Sequence, residues 1–179
     1  GMNLIENTLK KAFSEHFLCL STLKECSIDT SKNHNVYLST NMEPAFDFDE
    51  IKKEFCVKND ITHVSSMDSL YITLNKMYLI EFKNQKNSKL KWEKIKNKMH
   101  DSLSILNKEF NINESHYHQL EAFIITPPRN NSSINKMLNH GKKLVNEPFE
   151  CTQLEMFSEV YGLKCYRSTS QELETYIGI

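Results

Sequence analysis

Three residues near the middle of the chain have the types and spacing for hydrolytic chemistry: Asp68, Glu81 and Lys83, all within "DSLYITLNKMYLIEFKNQ" at 68–85. Two carboxylates can hold a hard dication such as Mg²⁺ or Mn²⁺, which prefers oxygen donors and keeps several waters. A lysine beside them can orient a nucleophilic water and a phosphate oxygen. The question is whether the fold brings the three together.

The stretch reads as a β-hairpin, two apolar runs around Asn75 and Lys76. With those two residues at the centre of a tight turn, Leu74 faces Met77 and Asp68 faces Lys83. Glu81, two residues from Lys83, then shares their side, together with Leu70, Ile72, Leu74 and Leu79. Tyr71, Thr73, Tyr78, Ile80 and Phe82 make the other side, so both faces are mostly apolar. Carboxylates in such a sheet need a partner, because unpaired buried charge is strongly unfavourable. One solution is a dication on Asp68 and Glu81; another is an Asp68–Lys83 ion pair with Glu81 in solvent. A slip of one residue would send Asp68 to the opposite face.

Other elements must frame the hairpin. Ile5, Leu9, Ala12, Phe13, Phe17 and Leu20 recur at steps of three and four, which predicts an amphipathic helix over 3–20. Residues 27–46 collect Ser, Thr, Asn and Pro, and only "NVYLS" suggests a short strand. Asp47 or Asp49 can cap a helix running through Cys56. After the hairpin, Ile95, Met99, Leu103, Leu106 and Phe110 form a helical stripe, with Lys91, Lys94 and Lys98 on other faces. "LEAFIITPP" lacks alternation and reads as a strand covered on both sides, so strand, helix and strand predict a right-handed parallel crossover. Ile134, Met137, Leu138, Leu144 and Val145 predict a further helix, bent at Gly141 and stopped by Pro148. Residues 160–167 suggest a last strand, and Thr169 with Glu172 forms a capping box for a terminal helix.

Asp68, a spacing of a dozen residues, then "EFK" at 81–83 closing an apolar strand, followed by a long amphipathic helix and an apolar strand, resembles the PD-(D/E)XK nuclease superfamily. The likeness covers roughly residues 60–126. It implies an α/β domain of restriction-endonuclease-like fold, a mixed central sheet flanked by helices with an αβββαβ core. It also implies Asp68 and Glu81 as metal ligands for Mg²⁺ or Mn²⁺, Lys83 as the catalytic lysine, and a nuclease acting on nucleic acid, DNA first. Met67 stands where that motif often has proline. The superfamily often adds an acidic residue from the first helix, for which the chain offers Glu6 or Glu15. Enzymes of this kind that cut both strands often work as homodimers.

Composition limits the alternatives. A chain of 179 residues with 39% hydrophobic residues supports one ordinary domain, here 2–179, since Gly1 ahead of Met2 reads as a tag remnant. Lys plus Arg at 22 against Asp plus Glu at 23 leaves a net charge of −1, so attraction to a polyanion must be local. Five cysteines without C-x-x-C spacing predict reduced thiols and a cytoplasmic protein, and no apolar run predicts a membrane span. Four glycines leave no phosphate-cradling Gly-rich loop.

Beside the triad, Gln85 can reach substrate if the strand continues, and Lys86, Lys91 and Lys94 can neutralise phosphates or simply solvate a helix face. Trp92 can stack on a base or pack on the sheet. His116 and His118 would share one face of a strand. A second functional class stays open: a non-catalytic nucleic-acid- or protein-binding module on the same fold, in a phage-related or defence assembly.

Overall fold

The computed structural model describes residues 3–31, 34–128 and 148–179. Helix α1 (Leu4–Glu15) starts at Asn3, whose side chain accepts from the Glu6 N–H while the Glu6 carboxylate accepts from the Asn3 N–H. The helix ends short of the expected Leu20. Buried His16 is held by Glu54 and Glu109, and that tertiary pairing overrides the apolar period. Phe17–Cys19 is a 3₁₀ turn with Phe17 and Leu18 exposed, and Leu20–Thr22 becomes strand β1.

The Ser- and Asn-rich segment holds more structure than its composition suggests. A short α2 (Leu23–Cys26) leads to a two-stranded sheet of β2 (Ile28–Asp29) and β3 (Val36–Tyr37), the latter within the expected "NVYLS". Strand β4 (Pro44–Asp47) pairs between β1 and β5, with its proline at the first position, where a missing N–H is tolerated. Asp47 caps α3 (Phe48–Asn59) by accepting from the Glu50 N–H at 3.1 Å.

Strands β5 (Ser69–Ile72) and β6 (Met77–Phe82) form the expected hairpin around a wider loop. Thr73 closes it: its N–H reaches the Lys76 carbonyl at 2.9 Å, and its hydroxyl accepts from the N–H groups of Asn75 and Lys76. Ile72 therefore pairs with Met77 and Ser69 with Ile80. Every partner moves by two residues from the two-residue-turn register, so each side chain keeps its predicted side. Asp68 lies abreast of Glu81, not of Lys83.

Helix α4 (Trp92–Phe110) carries the chain from β6 to β7 (Leu120–Ile125), which pairs parallel to β6. The "HYH" segment lies in a 3₁₀ helix, Glu114–Gln119, and so is not the expected strand; Asn113 starts it, and the His116 ring accepts from the Asn113 N–H. Strand β8 (Phe149–Glu150) precedes α5 (Glu155–Tyr161), which ends at Gly162 with φ of 67°. The last strand, β9 (Lys164–Ser168), begins later than expected because Val160 and Tyr161 belong to α5. Helix α6 (Ser170–Ile177) has the expected Thr169–Glu172 capping box. The helix expected from Ile134 to Val145 lies outside the described residues.

The result is an α/β architecture on a mixed seven-stranded sheet of order β1-β4-β5-β6-β7-β9-β8. One face packs Leu70, Leu79 and Ala122 against Ile5, Ile51 and Ile95 of α1, α3 and α4. The other packs Tyr78, Ile80 and Phe123 against Leu23 and Leu173 of α2 and α6. Among the described residues no helix is long and apolar enough to cross a membrane.

Candidate active site

Asp68 is fixed by the backbone around it. Its N–H donates to the Ile80 carbonyl at 3.0 Å, its own carbonyl accepts from the Phe48 N–H at 3.1 Å, and its Oδ2 accepts from the Phe82 N–H at 2.7 Å. The approach to β5 is pinned to α4 as well. Buried Met67 donates its N–H to Ser102 Oγ at 2.8 Å, and Ser65 donates from both N–H and hydroxyl to Asp101. A carboxylate held at a strand entry in this way has little freedom to swing toward solvent.

Glu81 is wholly buried and carries two lysines. Lys98 Nζ lies 2.7 and 3.0 Å from its two oxygens, and Lys83 Nζ lies 2.5 Å from Oε1. Lys98 also reaches Asp68 Oδ1 at 3.2 Å, so one ammonium touches both carboxylates. Glu81 is not in solvent, which removes that form of the ion-pair alternative. Burial, reinforced by the neighbouring Glu81 charge, pushes the Asp68 carboxyl up to about 7, against the pull of Lys98 and Lys83. Burial works against the Lys98 ammonium, but Glu81 and Asp68 outweigh it and raise its affinity for the proton.

Asp68 and Lys83 border a cleft of about 400 Å³ between the sheet end and the β2–β3 segment, and Glu81 lies behind them, outside its lining. Asp47, Asp49, Glu50, Asp68, Lys83 and Gln85 all line it. Burial raises Asp47, reinforced by Glu50 and Asp49. Burial also acts upward on Asp49, but hydrogen bonds from Lys52 and Ser66 hold it below the usual range. A cleft with this many carboxylates favours a cation. Asp68 and Glu81 direct oxygens at one cationic point, the Lys98 ammonium, and this oxygen donor set fits a hard dication that takes that position.

The remaining candidates lie elsewhere. Lys86, Lys91 and Lys94 are exposed around the turn into α4 and do not line the cleft. Trp92 is half-buried against the helix-side core. Glu6 is occupied in the α1 cap, and exposed Glu15 pairs with Lys11 at 3.7 Å. The extra acidic groups at the cleft come instead from the start of α3. Lys98 is the residue that sequence reasoning misses. Its signal is its place three residues after Ile95 and four before Ser102, both buried, which puts it at the inner edge of the α4 stripe. Comparison of the chain with family models, with curated proteins and with solved structures returned no match.

Proposed function

We propose that the chain is a divalent-metal-dependent phosphodiesterase of the PD-(D/E)XK type acting on nucleic acid, with DNA the first class to test. The observation that carries this reading is the meeting of Asp68, wholly buried Glu81 and Lys83 at one end of β6, with Asp68 and Lys83 lining an acidic cleft in front of Glu81. Its support from architecture is antiparallel β4, β5 and β6 side by side, then α4 and parallel β7, an arrangement related to an αβββαβ core if β1–β3 after α1 and α3 between β4 and β5 are additions to it.

In this reading Asp68 and Glu81 hold the cation, Mg²⁺ or Mn²⁺, and the Phe82 N–H fixes the orientation of Asp68. When bound, the cation would supply the Lewis acidity that phosphodiester hydrolysis needs. Lys83, held on Glu81, would be available to a phosphate oxygen or the attacking water, and Lys98, held between the carboxylates, would stay beside them as a positive charge. Lys86, Lys91 and Lys94, outside the cleft, neutralise the flanking backbone.

The test is incubation of purified protein with plasmid, single-stranded DNA and RNA, with Mg²⁺ or Mn²⁺, beside Asp68→Ala, Glu81→Ala and Lys83→Ala. Cleavage that each substitution lowers by about 100-fold or more in folded protein supports the proposal. Intact substrates under all these conditions overturn it.

One observation favours a second reading, a non-catalytic binding module: Lys98 already pairs with both carboxylates, and Lys83 with Glu81. Calorimetric titration of Mg²⁺ and Mn²⁺ separates the two. Binding lost in Glu81→Ala supports the enzyme, and no uptake even with nucleic acid present supports the module.

A further inference from the structure

Away from the cleft, the end of α1 gathers a second set of polar side chains. His16 caps α1, and the Cys19 N–H returns to the His16 carbonyl at 2.9 Å, so a tight turn sets the two side chains together. Glu54 of α3 reaches His16 Nδ1 at 2.6 Å. The Nδ1, Sγ and carboxylate oxygen of His16, Cys19 and Glu54 all lie within 4.8 Å of one another. Around tetrahedral zinc such atoms stand about 3.3–3.8 Å apart, given bonds of about 2.0–2.3 Å. The His16–Glu54 pair, at 2.6 Å, would open to that spacing, and the set as a whole already lies within 4.8 Å.

The other ring nitrogen carries the stronger argument. His16 Nε2 lies 3.2 Å from Glu109 Oε1, and Glu109 is itself buried. A histidine that binds a metal through one nitrogen characteristically donates the other N–H to a carboxylate, which fixes tautomer and ring plane. Lys58 and Lys11 also lie 3.3 and 3.8 Å from Glu109 Oε1, so two ammonium groups support its role as a carboxylate acceptor. His16 and Cys19 are buried while Glu54 is partly exposed, which leaves one side for entry and for a water ligand.

We propose that His16 Nδ1, Cys19 Sγ and a Glu54 oxygen form a transition-metal site of the zinc class, with Glu109 as its orienting carboxylate. Mixed nitrogen, sulfur and oxygen donors select zinc or cobalt over Mg²⁺, so this site and the Asp68–Glu81 pair take different ions. The metal replaces the proton shared by His16 and Glu54 and the thiol proton of Cys19, both released to solvent. Because the thiol must lose its proton to bind, affinity rises with pH. The site would tie α1, the turn after it and α3 together, whatever the activity at the cleft.

The experiment is titration of reduced, full-length protein with Co²⁺, followed by its thiolate-to-cobalt charge-transfer absorption. One equivalent should develop the band, and Zn²⁺ should bleach it. Cys19→Ser should abolish it with circular dichroism unchanged, Cys26→Ser should leave it, and Glu109→Gln should weaken binding about 10–100-fold. No band in wild type, or a band that survives Cys19→Ser, overturns the proposal; survival would place the thiolate ligand at another cysteine. Zinc-edge X-ray absorption of the wild type needs no variant. One sulfur at about 2.3 Å beside nitrogen and oxygen supports the site, and a shell without sulfur excludes it.

Discussion

Lys98 of α4 grips both oxygens of Glu81 on β6, at 2.7 and 3.0 Å, and so joins the helix layer to the sheet at the candidate site. Lys98→Met should therefore destabilise the fold. Breaking a fully buried pair costs about 3–5 kcal/mol, and the 25% exposure of Lys98 together with the remaining Lys83–Glu81 pair lowers the expectation to roughly 2–3 kcal/mol. The same change should tighten Mg²⁺ binding, because the ion no longer displaces an ammonium. Denaturant melts with and without Mg²⁺ check both, and equal metal stabilisation of the two proteins would show that Lys98 and the ion do not compete.

The Asp68 carboxyl gives stability a pH dependence of defined sign. Its folded value, about 7, lies above the ordinary 3.8, so the folded state holds that proton more tightly than the unfolded chain. Its contribution is complete below about pH 4 and is lost as pH rises to about 7. Asp68→Asn keeps an oxygen for the Phe82 N–H and removes this loss. The difference in Tm, variant minus wild type, should be more positive at pH 8 than at pH 5. A difference that does not change with pH would contradict the assignment.

Ser102 serves the site without touching it. Ser102→Ala removes the acceptor of the buried Met67 N–H, and an orphaned buried donor costs about 1–3 kcal/mol. Urea unfolding measures this directly. In an active preparation the variant should lose turnover more than metal affinity, since the residue before Asp68 is released while both carboxylates remain.

The exposed lysines at the start of α4 should act through salt. Under the nuclease reading, replacing Lys86, Lys91 and Lys94 with alanine should lower DNA affinity evenly across sequences and flatten its dependence on ionic strength, by roughly one unit of slope for each phosphate no longer neutralised. Fluorescence anisotropy over a salt series reads the slope. Unchanged slope in the triple variant would place the polyanion elsewhere.

Much of the centre of this molecule is legible in residue order. The hairpin, α4, buried β7 and the capped terminal helix all follow strong local patterns, and the sides taken by Asp68, Glu81 and Lys83 tolerate a misjudged turn because the error is an even number of residues. What escapes depends on partners distant in sequence. β4 hides in a polar stretch because only its neighbours make it a strand, and α1 stops at His16 because Glu54 and Glu109 are waiting there. Lys98 reads as a solvated side chain because lysines surround it, while its partners lie on strands that no helical pattern reveals. A search for paired cysteines also passes over the His16-x-x-Cys19 spacing.

The four-residue connection from Thr73 to Lys76 makes the chain tolerant of changed length at one place. Leu74 at its tip is 82% exposed, and β6 runs for six residues, about 20 Å, before reaching Phe82. A peptide spliced between Leu74 and Asn75 would lengthen the molecule far from Glu81. Removing one or two residues would leave a shorter turn that can still pair Ile72 with Met77, so each side chain keeps its present side. The turn absorbs changes of length that the strands do not feel, and it is where a tag or sensor can be installed while the distant chemistry stays intact.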